Sequence, residues 1–199
     1  MGVLKLKPND FEKLRQIPND LSEFWKGYFA HVAIDLNRLF FKYTQEPMTI
    51  KYLHRDVIRA KDYFATISEF SVIKPFNISP MKGIGFFYFT NDLCNYFIDC
   101  LLGGSDKNQT QSRPITSTDQ KVLEHILNDI MITLQKQMEA ENRVIDFESV
   151  DPKDVSLFTN SQAAEQYISV QQFLVVNGHR TFVFDIAFSN RILEEFLLI

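Results

Sequence analysis

Few side chains in this sequence stand at spacings that do chemistry. Glu124 and Asn128 are four residues apart, one turn on a helix, where a carboxylate and an amide could face one ligand together. A solvated helix face produces the same pair far more often. His31, His54, His125 and His179 fall on separate elements, and none keeps metal-ligand spacing with a cysteine or another histidine. Cys94 and Cys100 lie six apart on one expected helix and so on different faces, which argues against a mutual disulfide or a shared metal site. Gly83-Ile84-Gly85 lacks the third glycine of a phosphate loop and opens a strand rather than a helix. There is no nucleophile elbow and no zinc motif. These residues give no reason to expect a catalytic residue, metal or cofactor.

Gly103-Gly104-Ser105-Asp106 is the most informative loop. A helix C-cap followed by a turn explains both glycines. The alternative is an exposed tip that binds a partner, since loops joining rigid elements often carry function.

The elements that hold this loop can be read from periodicity. A helix is expected over residues 21–43, with Asp20 and Glu23 as its capping box and Phe24, Trp25, Tyr28, Val32, Leu36, Leu39 and Tyr43 as its apolar stripe. Met48–Tyr52 reads as a strand, and residues 56–70 as a short helix with a connection. Residues 71–79 and 83–89 read as paired strands, followed by a helix from Asn91 to Leu102. Ser105–Arg113 is a polar loop. A second long helix is expected over 118–139, with Ser117 and Gln120 as its capping box and Val122, Ile126, Ile130, Leu134 and Met138 at steps of four. A strand over 143–150 and an irregular stretch over 152–166 follow. Strands over 167–176 and 181–188 flank an Asn177-Gly178 hairpin turn, and a closing helix covers 191–198.

This order is a repeat. Phe89-Thr90-Asn91-Asp92-Leu93 with Phe97 returns 99 residues later as Phe188-Ser189-Asn190-Arg191-Ile192 with Phe196. In each copy a Phe-rich strand precedes the motif and a helix follows, and the Thr/Ser-Asn pair suits a helix start. Each half then reads helix, strand, irregular segment, hairpin, helix. Neither half has enough strands to bury its own sheet. The expected fold is α/β, with two related halves about an approximate twofold axis and helices covering one central sheet. The half-repeats run over about 20–103 and 117–199, after an N-terminal extension of residues 1–19.

Composition allows a large core. The 199 residues are 45% hydrophobic and 14% aromatic, with 19 phenylalanines. A net charge of −4 weakens any case for nucleic-acid binding. Met1–Pro8 carries no long apolar stretch, so no signal peptide is expected, and no run approaches the roughly 20 apolar residues of a membrane helix. Met1-Gly2 would suit myristoylation, but Leu6 stands where Ser or Thr is needed. The sequons at Asn77 and Asn108 then read as accidental, and a cytoplasmic protein is expected.

Asn91–Leu102, Gly103-Gly104, the polar loop, and Ile115-Thr116-Ser117-Thr118-Asp119-Gln120-Lys121-Val122-Leu123 together resemble the middle domain of the flagellar motor switch protein family FliM. Phe158-Thr159-Asn160 and the final hairpin and helix also fit that pattern. The resemblance runs from about residue 20 to the C-terminus. That family belongs to a wider group with the CheC and CheX phosphatases, all of pseudo-twofold α/β build. The resemblance implies a non-enzymatic subunit of the cytoplasmic rotor ring, at the inner face of the membrane. It implies contact with a FliG-like rotor protein through Gly103, Gly104, Ser105 and Asp106, and contact with neighbouring copies. FliN and phosphorylated CheY would engage segments not visible in this sequence. The family's loop ends in glycine where Asp106 stands here. Two other readings share the fold, a CheC-type phosphatase acting on phosphorylated CheY and a relative from a type III secretion apparatus. CheC-type enzymes use an acidic residue or Ser, then Glu four later, then Asn three later. Here those places hold Gln120, Glu124 and Leu127, and Asn128 falls one residue late, about 100° around the helix. In the first helix Ile34 stands three before Asn37, where Glu is required.

Overall fold

Phe182, Phe184, Ile186 and Phe188 alternate along one strand, and all four side chains are buried on a single face of it. That strand lies near the centre of a six-stranded antiparallel sheet in a computed structural model that describes residues 19–81, 83–103, 113–150 and 166–189, with Ile192 and Glu195. The elements are α1 (Asn19–Thr44), β1 (Thr49–Arg59), α2 (Ala60–Phe64), β2 (Val72–Ser79), β3 (Ile84–Phe89), α3 (Asn91–Leu101), α4 (Ser117–Ala140), β4 (Asp146–Ser149), β5 (Tyr167–Asn177) and β6 (Arg180–Ser189).

The strand order is β1-β5-β6-β3-β2-β4. Exchanging the halves (β1 with β4, β2 with β5, β3 with β6) returns the same order reversed. The axis of that exchange falls between β3 and β6, where Phe87 faces Ile186, its counterpart 99 residues on. The halves interleave, because β1 pairs with β5 of the other half and β4 with β2. Neither half therefore closes a sheet without the other.

One face of the sheet carries the main core. Trp25, Tyr28, Phe29, Val32, Ala33, Leu36 and Phe40 of α1 are buried there, and so, each 98 residues on, are Leu123, Ile126, Leu127, Ile130, Met131, Leu134 and Met138 of α4. The agreement of all seven positions is what an approximate dyad requires of the two long helices. Tyr28 crosses between them, its buried hydroxyl donating to the Leu134 carbonyl at 2.8 Å. The opposite face holds a smaller cluster, in which Ala60 and Tyr63 of α2 meet Phe86, Ile168, Val170 and Ala187. Gly85 admits the Phe76 ring, which would lie 2.4 Å from any Cβ built there.

Several expectations need correction. Phe24, Leu39 and Tyr43 are only partly buried and pack at the rim of the main core. Asp20 lies inside α1 and is not its N-cap. The cap of α4 is Thr116 with Asp119, one residue before the expected Ser117 and Gln120; an aspartate held by Arg113 accepts the Thr116 backbone N–H. Thr90 precedes α3 without capping it, because its hydroxyl donates to the Val183 carbonyl at 3.2 Å. β1 runs seven residues beyond Tyr52, to Arg59, because ladder pairing with β5 carries it past the expected helix start at Asp56. β4 begins at Asp146 rather than Arg143. The hairpin turn is Gly178-His179, one residue on, since Asn177 already pairs with Arg180. The expected irregular stretch from Pro152 lies almost wholly outside the described residues, as does most of the closing helix, of which Ile192 and Glu195 are helical.

Candidate partner-binding site

Helix α3 ends by exposing apolar surface. Tyr96, Phe97 and Ile98 are buried, but Leu101 is 41% and Leu102 77% exposed. The Leu102 N–H still bonds to the Ile98 carbonyl at 2.9 Å and the Gly103 N–H to that of Cys100 at 3.2 Å. Gly103 then turns left-handed at φ +77°, and among the described residues nothing lies within 4 Å of a Cβ built on it. Its conformation, not crowding, is what asks for glycine. Gly104, Ser105 and Asp106, the rest of the expected contact loop, lie outside the described residues.

The return leg of the loop is clamped. The Asn91 amide donates to the carbonyls of Phe70 and Arg113, both at 2.9 Å, and Asn95 donates to Asn91 Oδ1 at 2.8 Å and to the Arg113 carbonyl at 3.1 Å. Arg113 grips Asp119 with two nitrogens, at 2.6 and 3.2 Å. That guanidinium holds the Asp119 carboxyl well below the usual carboxylate range against the opposing effect of burial, and the hydrogen bond raises Arg113 in turn. Thus the two exposed leucines and Gly103 leave one rigid helix, and the chain re-enters another under a charge-assisted lock. Sequence reasoning took Asn91 as a helix start and missed this clamp, although Asn91 and Asn95 at i,i+4 on an expected helix were a visible signal.

Glu124 and Asn128 do not converge. Glu124 is half-exposed and lines a pocket of about 290 Å³ with Ser71, Lys74, Gln120, Ile115 and Leu127, a lining that does not include Asn128. Its charged neighbour is Lys74, with Nζ 3.7 Å from Oε1. Leu127, at the place of the phosphatase amide, is buried in the core. Asn37 on α1 is occupied structurally: its Oδ1 accepts the Ile50 N–H at 2.8 Å and its amide donates to the Ala33 carbonyl at 2.8 Å. Burial pushes the Cys94 thiol up to about 12 and raises Cys100 as well, away from the reactive thiolate. His54 meets Asp56 at 3.1 Å on the surface. Among the described residues, no group of three or more His, Cys, Asp or Glu side chains could hold a metal ion, and no helix is long and apolar enough to cross a membrane.

Comparison with known proteins fits this geometry. The structure superposes on a FliG–FliM complex chain from H. pylori with a TM-score of 0.77 at 16% identity, covering 92% of this chain and 100% of that one. The FliM middle domain from H. pylori gives a TM-score of 0.74 at 14% identity over 91% and 98% of the two chains. CheX from Vibrio vulnificus gives 0.50 at 10% identity over 81% and 99%, a more distant case of the same fold. No curated protein sequence matches. The family model of the flagellar motor switch protein FliM matches residues 27–196, nearly the whole described fold with both of its halves, and the chain therefore belongs to the FliM family and has the fold of its middle domain.

Proposed function

We propose that this chain is a non-catalytic, cytoplasmic subunit of the flagellar rotor that transmits rotation sense to a FliG-like protein through the tip beginning at Leu101. The observation that carries this reading is the exposed Leu101-Leu102 pair running into left-handed Gly103 on a clamped frame. A similar structure comes from a FliG–FliM complex, which supports a partner of that kind. Gly104, Ser105 and Asp106 complete the proposed contact. The folded unit in this reading is residues 20–199, with half-repeats of about 20–103 and 117–199, and copies stand side by side in a ring. Switching then requires interfaces with two arrangements of similar free energy, while the interleaved sheet moves as a rigid body.

Titration with the FliG-like protein of the same source tests the tip. Leu102→Asp and Gly104→Trp should each weaken binding by about tenfold or more while the circular dichroism spectrum is retained. Unchanged affinity in both variants removes the tip from the interface. The non-catalytic reading has its own test in the decay of phosphorylated CheY, which should proceed at the same rate with and without the protein. Acceleration that is lost on Glu124→Ala would overturn it.

A further inference from the structure

The sheet ends in a long free edge. β1 has 11 residues, is the last strand in the order, and has no strand on its outer side among the described residues. Its register slips between Tyr52 and His54, which sets Leu53 apart from the ladder, 42% exposed. A groove of about 570 Å³ runs between this strand and the outer side of α1. Ala30 and Ile34 of α1 and Leu53 give it an apolar lining, and Ile34 is 54% exposed.

The charge on this groove is one-sided. Lys26, Lys51 and Arg55 line it, and among the described residues no carboxylate does, in a chain whose net charge is −4. Arg55 is half-buried, yet makes no ion pair or side-chain hydrogen bond among the described residues. Burial lowers its pKa, as expected of a guanidinium whose lost hydration is not replaced by a counter-charge. Among the described residues Lys26 reaches only the exposed Glu23, at 4.0 Å. A strand edge with unmet main-chain groups, an apolar floor and uncompensated cations has the makings of a site for strand addition.

We propose that the β1–α1 groove binds an acidic segment of a partner protein in extended conformation, added to β1 as a seventh strand. The partner's carboxylates would meet Arg55, Lys51 and Lys26, and its apolar side chains Ile34 and Leu53. Two nearer occupants fit less well. Residues 1–18 of this chain carry Lys5, Lys7, Lys13 and Arg15 against Asp10 and Glu12, the wrong sign. The opposite edge of a second copy offers acidic β4, but over four residues against eleven. This groove shares no residue with the proposed FliG contact, so either assignment can fail without the other.

The test uses fluorescence anisotropy with a fluorescein-labelled heptapeptide of alternating Glu and Val, and a Lys–Val peptide as control. The Glu–Val peptide should bind, weaken as salt rises from about 0.05 to 0.5 M, and lose about tenfold in affinity with Arg55→Gln and several-fold with Lys51→Gln. Both variants should keep the wild-type unfolding temperature within about 3 °C, since neither side chain has a hydrogen-bond or ion-pair partner among the described residues. Equal binding of the two peptides, no binding of either, or affinity unmoved by both substitutions would overturn the proposal. So would concentration-dependent self-association abolished by Arg55→Gln without peptide binding, which would assign the groove to a second copy.

Discussion

The two halves bury the same pattern of positions with different side chains and tie their first strands down differently. Where α1 uses Trp25, Tyr28, Phe29 and Phe40, α4 uses Leu123, Ile126, Leu127 and Met138 at the matching sites. Asn37 of α1 clasps the backbone of Ile50 in β1 from a part-buried position. Its counterpart 98 residues on, Gln135, donates instead to two exposed carboxylates, Glu139 on its own helix at 3.2 Å and Asp146 of β4 at 3.1 Å. β1 is correspondingly long and β4 short. The likeness is set by what the shared sheet needs covered, and the divergence lies where each half meets solvent. Duplication thus fixes the core and leaves the edges and the α3 tip free to specialise.

Truncating the matched core positions should break the comparison most strongly. Phe29→Ala should cost about 4 kcal/mol and Leu127→Ala about 3 kcal/mol by denaturant unfolding, because each leaves a cavity against the same sheet face. A loss near zero at either position would deny that the helices are equivalent. Next comes Gly85→Ala, which drives a methyl into the Phe76 ring and should cost about 2 kcal/mol. Tm measurements on the same variants give an independent reading of that order.

The lock at the return leg should come third. Arg113→Met should cost about 2 kcal/mol at pH 7 by removing the charge-assisted partner of Asp119. Asp119 has a depressed pKa in the folded state. Its contribution is therefore complete above the unfolded value near 4 and is lost as pH falls through the folded value. Wild type should lose stability from about pH 5 downwards more steeply than Asp119→Asn does, and identical acid limbs would contradict the lock. The smallest effect sharpens the contrast between the clasps. Asn37→Ala should cost about 1 kcal/mol or more, since it strands the Ile50 amide, and Gln135→Ala less than about 0.5 kcal/mol. Equal losses would mean that the first strands are held alike.

Local pattern made much of the fold readable. Steps of three and four in α1 and α4, alternation in β6, and the hairpin glycine specify elements and faces because each depends on near neighbours. Strand order was not readable, since pairing β1 with β5 joins residues more than a hundred positions apart and nothing in either strand names its partner. The α4 cap moved by one residue for a similar reason. Thr116 and Ser117 can both cap, and the choice was made by Arg113 fixing Asp119. Lys74 beside Glu124 was also missed, although it shares its strand face with Phe76 and Ile78 and was already an oddity at an inward position. At the candidate site, the left-handed turn after α3 was legible in Gly103. The exposure of Leu101 and Leu102 was not, because only packing decides which turn of a short apolar helix leaves the core.

Two-dimensional NMR of the chain titrated with the FliG-like partner tests the central claim most directly. A rigid duplicated scaffold that works through its α3 tip predicts amide shifts concentrated at Leu101, Leu102, Gly103 and the residues that follow, with the sheet and the β1 edge unmoved. Shifts confined to α1 and β1, or spread through the sheet with the tip silent, would contradict it.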